Sequence, residues 1–423
     1  MKIKNKKFLI SPSDLNNFVS CKYLIKNEIK FLYKEIKRNE ESIDQKLRKE
    51  FGIKHEKKHF DLLKKYYKKN ISIKQDSTEE QRYKETIDAI KRGYDLIYHA
   101  YLIDGDFRGE ADFLIKVDTA SDLGDFSYEV YDTKITRKPK PRHIYQITAY
   151  SHMLSTIQGI LPERMYLIDG ADITHQYKIK EFIDFYHYTK KNFDKFLKNI
   201  VEEKVYPEKC SHCNFCDYTD ECEKIWTEDN YINQVAKINR SQIEKLKKIG
   251  INTVKKLASA NPEKIKVKIN KQALIDRISQ AQLQEEKRET GKSKYIILDP
   301  DKGKGFYKLP KPDDGDLFFD IEGYPQEDGR GFEYLHGVYF KGPKGMEFKY
   351  FWAKDFKKKY EQENFIELIN FFKSHFKQYP KAHLYHYNSY EKRSLRQLAS
   401  LFSSDFPEGS NFVDSLLRGE KFV

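Results

Sequence analysis

Long apolar runs are what this sequence most lacks. No stretch among its 423 residues approaches the about 18 consecutive apolar residues of a membrane span. The N-terminus MKIKNKKFLI has only a three-residue apolar patch before a polar turn, so the expectation is a cytoplasmic protein with no membrane partner. Cysteine is scarce as well: Cys21 stands alone, and Cys210, Cys213, Cys216 and Cys222 crowd into CSHCNFCDYTDEC. Five unevenly placed thiols exclude a secreted disulfide scaffold and favour a metal site. No G-x4-G-K-[ST] motif occurs, so no P-loop ATPase is carried by these residues.

What is abundant is positive charge. Lysine and arginine number 78 against 65 aspartates and glutamates, a formal net charge of +13 with a pI near 9.0, which attracts polyanions such as nucleic acid. Aromatics make up 14% of residues, enough to supply stacking for single strands as well as core. The length suits two or three domains.

Apolar spacing after the cap-forming Ser11 or Ser13 predicts a first helix through Leu15, Phe18, Tyr23, Leu24 and Ile29, with Cys21 on it or just after it. A second amphipathic helix is expected through FGIKHEKKHFDLLKKYY, with Phe51, His55, Phe60 and Leu63 near one face. The period then becomes that of strands: GEADFLIKV, a polar loop and YEVYDTK read as a hairpin. The basic loop ITRKPKPRH, a helix IYQITAYSHMLSTI and a strand RMYLID follow, an order that predicts a mixed α/β core. After the cysteines, two short helices flanking Gly250 resemble a helix-hairpin-helix; such a turn presents backbone N–H groups to a phosphate, or serves only as a small linker. LPKPDDGD then opens the strand LFFDIEG, placing a boundary near 295–315.

Asp112 in GEADF and Asp132 in YEVYDTK fall on neighbouring strands, where two carboxylates can share a divalent cation. Lys134 shares the face of Asp132 because strand side chains alternate. An isolated D-x-K is more often an ordinary solvated face. The ordered set His55, Asp112, Asp132, Lys134, Gln146 and Tyr150, in GIKHE, GEADF, YDTK and QITAY, resembles the RecB-like branch of the PD-(D/E)XK nucleases. The resemblance implies that Asp112 and Asp132 hold Mg2+ or Mn2+ and that His55 completes the metal shell. It further implies that Lys134 assists the attacking water, while Gln146 and Tyr150 contact substrate or brace the site. Glu56 and Glu129 are neighbouring acids, expected to be helix-surface and strand-surface charges.

The spacing Cys213-x2-Cys216-x5-Cys222 with the distant Cys21 resembles the iron-sulfur staple of AddB-type and CRISPR-associated RecB-like exonucleases, which implies a 4Fe-4S cluster and leaves Cys210 over. The competing arrangement is a local zinc site of Cys210, Cys213, Cys216 and Cys222. In LFFDIEG, Asp320 and Glu322 form a second acidic pair that resembles the DEDD exonucleases of the RNase H-like fold. The pattern departs after that: Asn388 stands near the place of a second-motif acid, Glu391 is a substitute, and Asp414 is a poor final acid.

The whole chain resembles the N-terminal part of the RecB-like nuclease family, whose longer members add a superfamily 1 helicase. That implies a nuclease domain with its cysteine cluster over residues 1–228, a helical connector over 229–295 and a truncated RNase H-like domain over 310–423. The expected activity is Mg2+- or Mn2+-dependent hydrolysis of single-stranded DNA or duplex ends in repair or recombination, by an exonuclease rather than an endonuclease, with a helicase in cis or in trans. The alternatives are a nucleic-acid-binding or scaffolding module with a vestigial site, and a zinc-ribbon RNA-binding protein.

Overall fold

A computed structural model describes residues 1–4, 7–298, 303–324 and 331–423. The chain divides into two compact units: Met1–Lys134, Pro139–Asp169 and Ile173–Ile297 form the first, and Ile135–Lys138, Gly170–Asp172 and Leu298–Val423 the second.

In the first unit β1 (Lys2–Lys4) pairs with β2 (Lys7–Leu9), and Ser11 caps α1 (Pro12–Ser20). The cap is reciprocal: the Ser11 hydroxyl accepts from Asp14 N, and the Asp14 carboxylate accepts from Ser11 N. Cys21, in extended conformation, separates α1 from α2 (Lys22–Leu32). Next come α3 (Ile43–Tyr66), β3 (Asn70–Ser72), α4 (Glu79–Lys91), β4 (Leu96–Asp104), β5 (Phe107–Val117), β6 (Ser127–Thr133), α5 (Pro141–Gln158), β7 (Arg164–Ile168), β8 (Thr174–Lys178) and α6 (Ile183–Lys198). The six strands form one sheet in chain order, with β4–β5, β5–β6 and β7–β8 antiparallel and β3–β4 and β6–β7 parallel. The helix α5 is the crossover that the parallel β6–β7 pair requires.

One face of this sheet packs Ile97, Leu102, Leu114, Val130 and Leu167 against Leu15 and Phe18 of α1, Ile90 of α4, Ile147 and Met153 of α5, and Phe193 of α6. The other face packs Leu96, Phe113 and Ile115 beneath Phe60 and Leu63 of α3. Strand alternation should send Ala100 and Ala111 to this second face with Leu96 and Phe113, yet both alanines lie in the first core. The side-chain phase therefore slips at the intervening residues, His99 and Asp112. His99 takes the left-handed conformation there, with φ +58° in mid-strand.

The cysteine segment runs into α7 (Thr219–Glu228), and α8 (Arg240–Lys247), α9 (Val254–Ala258) and α10 (Lys271–Thr290) follow. Cys222 and Trp226 of α7 share a core with Tyr23 of α2 and with Leu246, Leu257, Leu274 and Ile278, so the connector is built onto the cysteine-bearing helix. Gly250 has φ +82° in the turn between α8 and α9.

The second unit contains β9 (Leu317–Tyr324), β10 (Phe332–Gly342), β11 (Gly345–Trp352), α11 (Lys358–Gln378), β12 (Leu384–Tyr385), α12 (Tyr390–Leu401) and α13 (Pro407–Arg418). Its sheet has the order β11-β10-β9-β12, with β12 parallel to β9 and the other pairs antiparallel. Leu317, Phe319 and Ile321 face a core with Phe365, Phe372 and Leu395, while Phe318, Asp320 and Glu322 alternate outward. The chain is thus mixed α/β, and no helix among the described residues is long and apolar enough to cross a membrane.

Candidate functional site

Asp112 and Asp132 stand one residue beyond the paired Phe113 and Tyr131, so the hairpin sets them side by side. Asp112 Oδ2 accepts from Thr133 N at 2.7 Å and from Thr133 Oγ1 at 2.8 Å, which fixes that carboxylate. Asp132 is 1% exposed; its Oδ2 accepts from Lys134 Nζ, and its buried Oδ1 has no hydrogen-bond partner among the described residues. Burial, and then the Asp112 charge, push the Asp132 carboxyl up to about 7 against the pull of Lys134. Burial draws the Lys134 ammonium down, but Asp132, Asp112 and Glu56 outweigh it and hold the amine above its ordinary range.

Glu56 belongs to the same cluster. Burial and the charges of Asp112 and Asp132 push its carboxyl up to about 8, opposed by a Tyr98 hydrogen bond and by Lys134. It is therefore not the helix-surface charge expected from the sequence. The signal was its spacing: Glu56 stands four residues before Phe60 and seven before Leu63, the stripe that α3 lays on the sheet. Glu129 is likewise not a strand-surface charge, since it is 7% exposed and accepts from Arg164 N at 3.1 Å. His55 has its ring edge-on to that of His59, with centroids 4.6 Å apart.

Tyr150, on α5, is buried and takes a hydrogen bond from Gln146 Nε2 at 3.2 Å; burial and then Asp132 raise its hydroxyl above the usual phenol range. Its ring explains the glycine of GEADF. A Cβ on Gly109 would stand 2.6 Å from Tyr150 Cε1 and 3.1 Å from Pro12 Cδ. His99, at the phase slip, has Nδ1 2.5 Å from Glu110 Oε1 and 3.5 Å from Glu56 Oε1, and Glu110 also pairs with Arg82. This support behind Glu56 was not foreseen from the sequence.

All five cysteines line one enclosed pocket together with Asn27, His212 and Trp226. Cys210, expected to be left over, is inside it, with its Sγ 3.9 Å from that of Cys213 and in hydrogen-bonding contact with Cys21. Among the described residues no three of the sulfurs gather within 4.8 Å of one another. A zinc tetrahedron with 2.3 Å bonds needs sulfurs about 3.8 Å apart. Burial and then neighbouring Cys216 push the Cys222 thiol up to about 12, so gathering several thiolates here requires a cation. Asn27 is 1% exposed and its amide meets the Cys222 thiol, which it pulls down against burial. The pocket is tied to the N-terminal helices independently of any metal: Arg38 donates to Glu28 at 2.7 Å and to the Tyr218 hydroxyl at 3.0 Å, and Tyr218 donates to Glu28 at 3.0 Å.

In the second unit Asp320 and Glu322 lie on the outward face of β9. Glu333, not singled out from the sequence, approaches Glu322's strand at Gly323 and accepts from Tyr390 Oη and Ser394 Oγ, each at 2.8 Å. Asn388 is exposed with φ +72°, Glu391 is 3% exposed with Oε2 3.2 Å from His386 Nδ1, and Asp414 pairs with Arg418 on the surface of α13. A family model described as RNase_H superfamily matches residues 317–420, from β9 to just past α13. The C-terminal domain is RNase H-like. That likeness points to nuclease-type phosphodiester hydrolysis, for which RNase H-like nucleases usually employ divalent metal. No curated protein matches the chain.

Proposed function

We propose that the chain is a metal-dependent deoxyribonuclease, with a RecB-like PD-(D/E)XK core over residues 1–228, a helical connector over 229–295 and an RNase H-like domain over 310–423. The observation that carries this reading is the convergence of Glu56, Asp112 and Asp132 on one lysine, with two of the carboxyls held far above their ordinary range. Three carboxylates and one ammonium leave a formal charge of −2 when ionised, which one divalent cation neutralises. Asp132 Oδ1, without a hydrogen-bond partner among the described residues, and Glu56 Oε1, with His99 Nδ1 near it at 3.5 Å, are the oxygen donors that Mg2+ or Mn2+ would take. When bound, the ion supplies Lewis acidity and lowers the pKa of its water.

The protein's own groups divide the remaining work. Lys134, kept protonated by its carboxylate neighbours, donates to the attacking water or to a phosphate oxygen on which charge develops. Asp112 is held by Thr133 while His99 stands behind Glu56, so the acids keep their places as charge changes. Tyr150, seated over Gly109 and joined to Gln146, braces α5 against β5. Water attacks phosphorus as the P–O bond to the sugar breaks, and the water's proton passes through surrounding solvent to the sugar oxygen, which leaves as a hydroxyl, with no covalent enzyme intermediate. The basic segment RKPKPRH, which begins three residues after Lys134, holds the phosphate backbone and makes binding salt-sensitive. Cys21, Cys213, Cys216 and Cys222 bind a 4Fe-4S cluster that fastens the α1–α2 junction to α7; the convergence of the N-terminal Cys21 with the cysteines of the 210–222 segment on one pocket supports a shared group.

The test is cleavage of end-labelled single- and double-stranded DNA with Mg2+ or Mn2+ by protein purified without oxygen, beside Asp132→Ala. Metal-dependent cutting lost in the variant supports the assignment. If both proteins bind DNA and neither cuts, the chain is instead a binding or scaffolding module.

A further inference from the structure

We propose that Cys210 and Cys213 are a thiol–disulfide redox pair, open to a low-molecular-weight disulfide, whose closure removes Cys213 from the cluster site. The starting point is a surplus. Five thiols line one pocket, whereas a 4Fe-4S cluster takes four, so one of them is free for other chemistry. The segment Cys210-x2-Cys213 is built to use it. Cys213 N donates to Cys210 O at 3.1 Å and Cys210 N donates to Cys213 Sγ at 3.4 Å, so the turn Ser211–Phe215 brings both sulfurs to one side. Their Sγ atoms are 3.9 Å apart, and a disulfide bond needs them at about 2.0 Å. Ties on either side hold the backbone: Pro207 O accepts from Trp226 Nε1 at 2.7 Å, and Thr219 Oγ1 donates to Cys213 O at 2.9 Å and to Cys216 O at 3.0 Å. Closure therefore falls to the two side chains rather than to the pocket.

The other pairings are less well placed. Cys213 and Cys216 have the same spacing but make no sulfur–sulfur hydrogen bond among the described residues, and Cys222 is buried, whereas Cys210 and Cys213 are partly exposed. Cys21 touches Cys210 from a distant segment, so a bond between them would close a far longer loop than the Cys210–Cys213 turn. The exchange balances. One thiolate of the pair attacks a sulfur of the external disulfide, forming a mixed disulfide and releasing one small thiol. The second protein thiolate then attacks the mixed disulfide at its protein sulfur, forms the Cys210–Cys213 bond and expels the other small thiol. Two protein thiols are oxidised, one disulfide is reduced to two thiols, and both protons leave with them. While the bond stands, Cys21, Cys216 and Cys222 are the thiolates left for the cluster, one too few. This consequence rests on the cluster reading given above; the bond itself does not.

The test takes the full chain, reduced and freed of metal with EDTA, and equilibrates it without oxygen against oxidised glutathione before alkylation and fragment mapping by mass spectrometry. Two of the five thiols should be lost together, with the bond between Cys210 and Cys213. Cys213→Ser, which lacks the second thiol, should instead carry glutathione on Cys210. All five thiols still open to alkylation, or a bond from Cys21 to Cys210, would overturn the pair. Reconstitution with Fe2+ and sulfide reads the consequence: the disulfide form should take up no iron until it is reduced. Equal iron uptake by the disulfide and reduced forms would overturn the withdrawal of Cys213. If neither form takes up iron, the cluster reading fails, and the mapped bond still upholds the pair.

Discussion

Replacing Asp132 by asparagine tests the acidic cluster without changing its shape. The native carboxyl is raised from an ordinary 3.8 to about 7, so ionising it in the folded protein costs up to about 4 kcal/mol at about 1.36 kcal/mol per unit. The sign follows from proton binding: between about pH 4 and 7 the folded state holds this proton more tightly than the unfolded chain, so metal-free stability falls as pH rises through that window. Asparagine removes the dependence. The ion pair with Lys134 goes too, but the lysine side chain is 23% exposed and can rehydrate. In EDTA the variant should be more stable than the parent by about 2–4 kcal/mol at pH 8 and equal to it near pH 4. Divalent metal should close most of this gap, since ion at 100 times its Kd stabilises the parent by about 2.7 kcal/mol and the variant by much less, and cleavage should vanish in the variant. Urea denaturation at the two pH values, with and without Mn2+, measures all of this. Equal destabilisation at both pH values, or retained cutting, would refute the reasoning.

Glu56→Gln should flatten the pH dependence of metal-free stability in the same direction up to about pH 8 and lower metal affinity, read by calorimetric titration with Mn2+. Lys134→Ala should abolish cleavage while leaving DNA affinity nearly unchanged; full activity would remove the lysine from the mechanism. Gly109→Ala forces Tyr150 from its seat and should cost about 1–3 kcal/mol in denaturant titrations, with a loss of activity because α5 shifts. Cys21→Ser should lower iron content and thermal stability, whereas unchanged iron in Cys21→Ser together with lost iron in Cys210→Ser would place the group on the four local cysteines.

The hairpin that carries Asp112 and Asp132 was legible because its strands alternate and a polar loop separates them. The strand β4 was not: LIYHAYLID is apolar on both parities because it is buried on both faces, and His99 breaks its alternation with a positive φ. That same break hides the phase slip at Asp112, which no period-two count reveals. Glu56 was legible in principle, at the right spacing from Phe60 and Leu63, but α3 is so rich in lysine that its apolar stripe is thin and any acid on it looks solvated. Cys210 could not be placed by spacing, because three cysteines three residues apart fit a pocket in several ways and only the course of the chain from Cys210 to Cys216 brings Cys210 towards Cys21. Glu333 escaped because a β-bulge between Glu333 and Leu335 shifts its partner on the D-x-E strand by one residue, to Gly323.

The two acidic sites carry unequal weight because they differ in what they cost the fold. Asp320 and Glu322 lie on an exposed face, where two carboxylates on one strand are compatible with simple solvation. Glu56 and Asp132 oppose folding: ionising them at neutral pH is unfavourable, one lysine compensates only in part, and burying apolar side chains in their place would be cheaper. Packing does not require them, because the two cores of the first unit close around Leu114 on one face of the sheet and Phe113 on the other without any of the three acids. A cluster that the fold must be held together against, with its lysine, its threonine clamp and a histidine behind it, marks a functional site rather than a structural one.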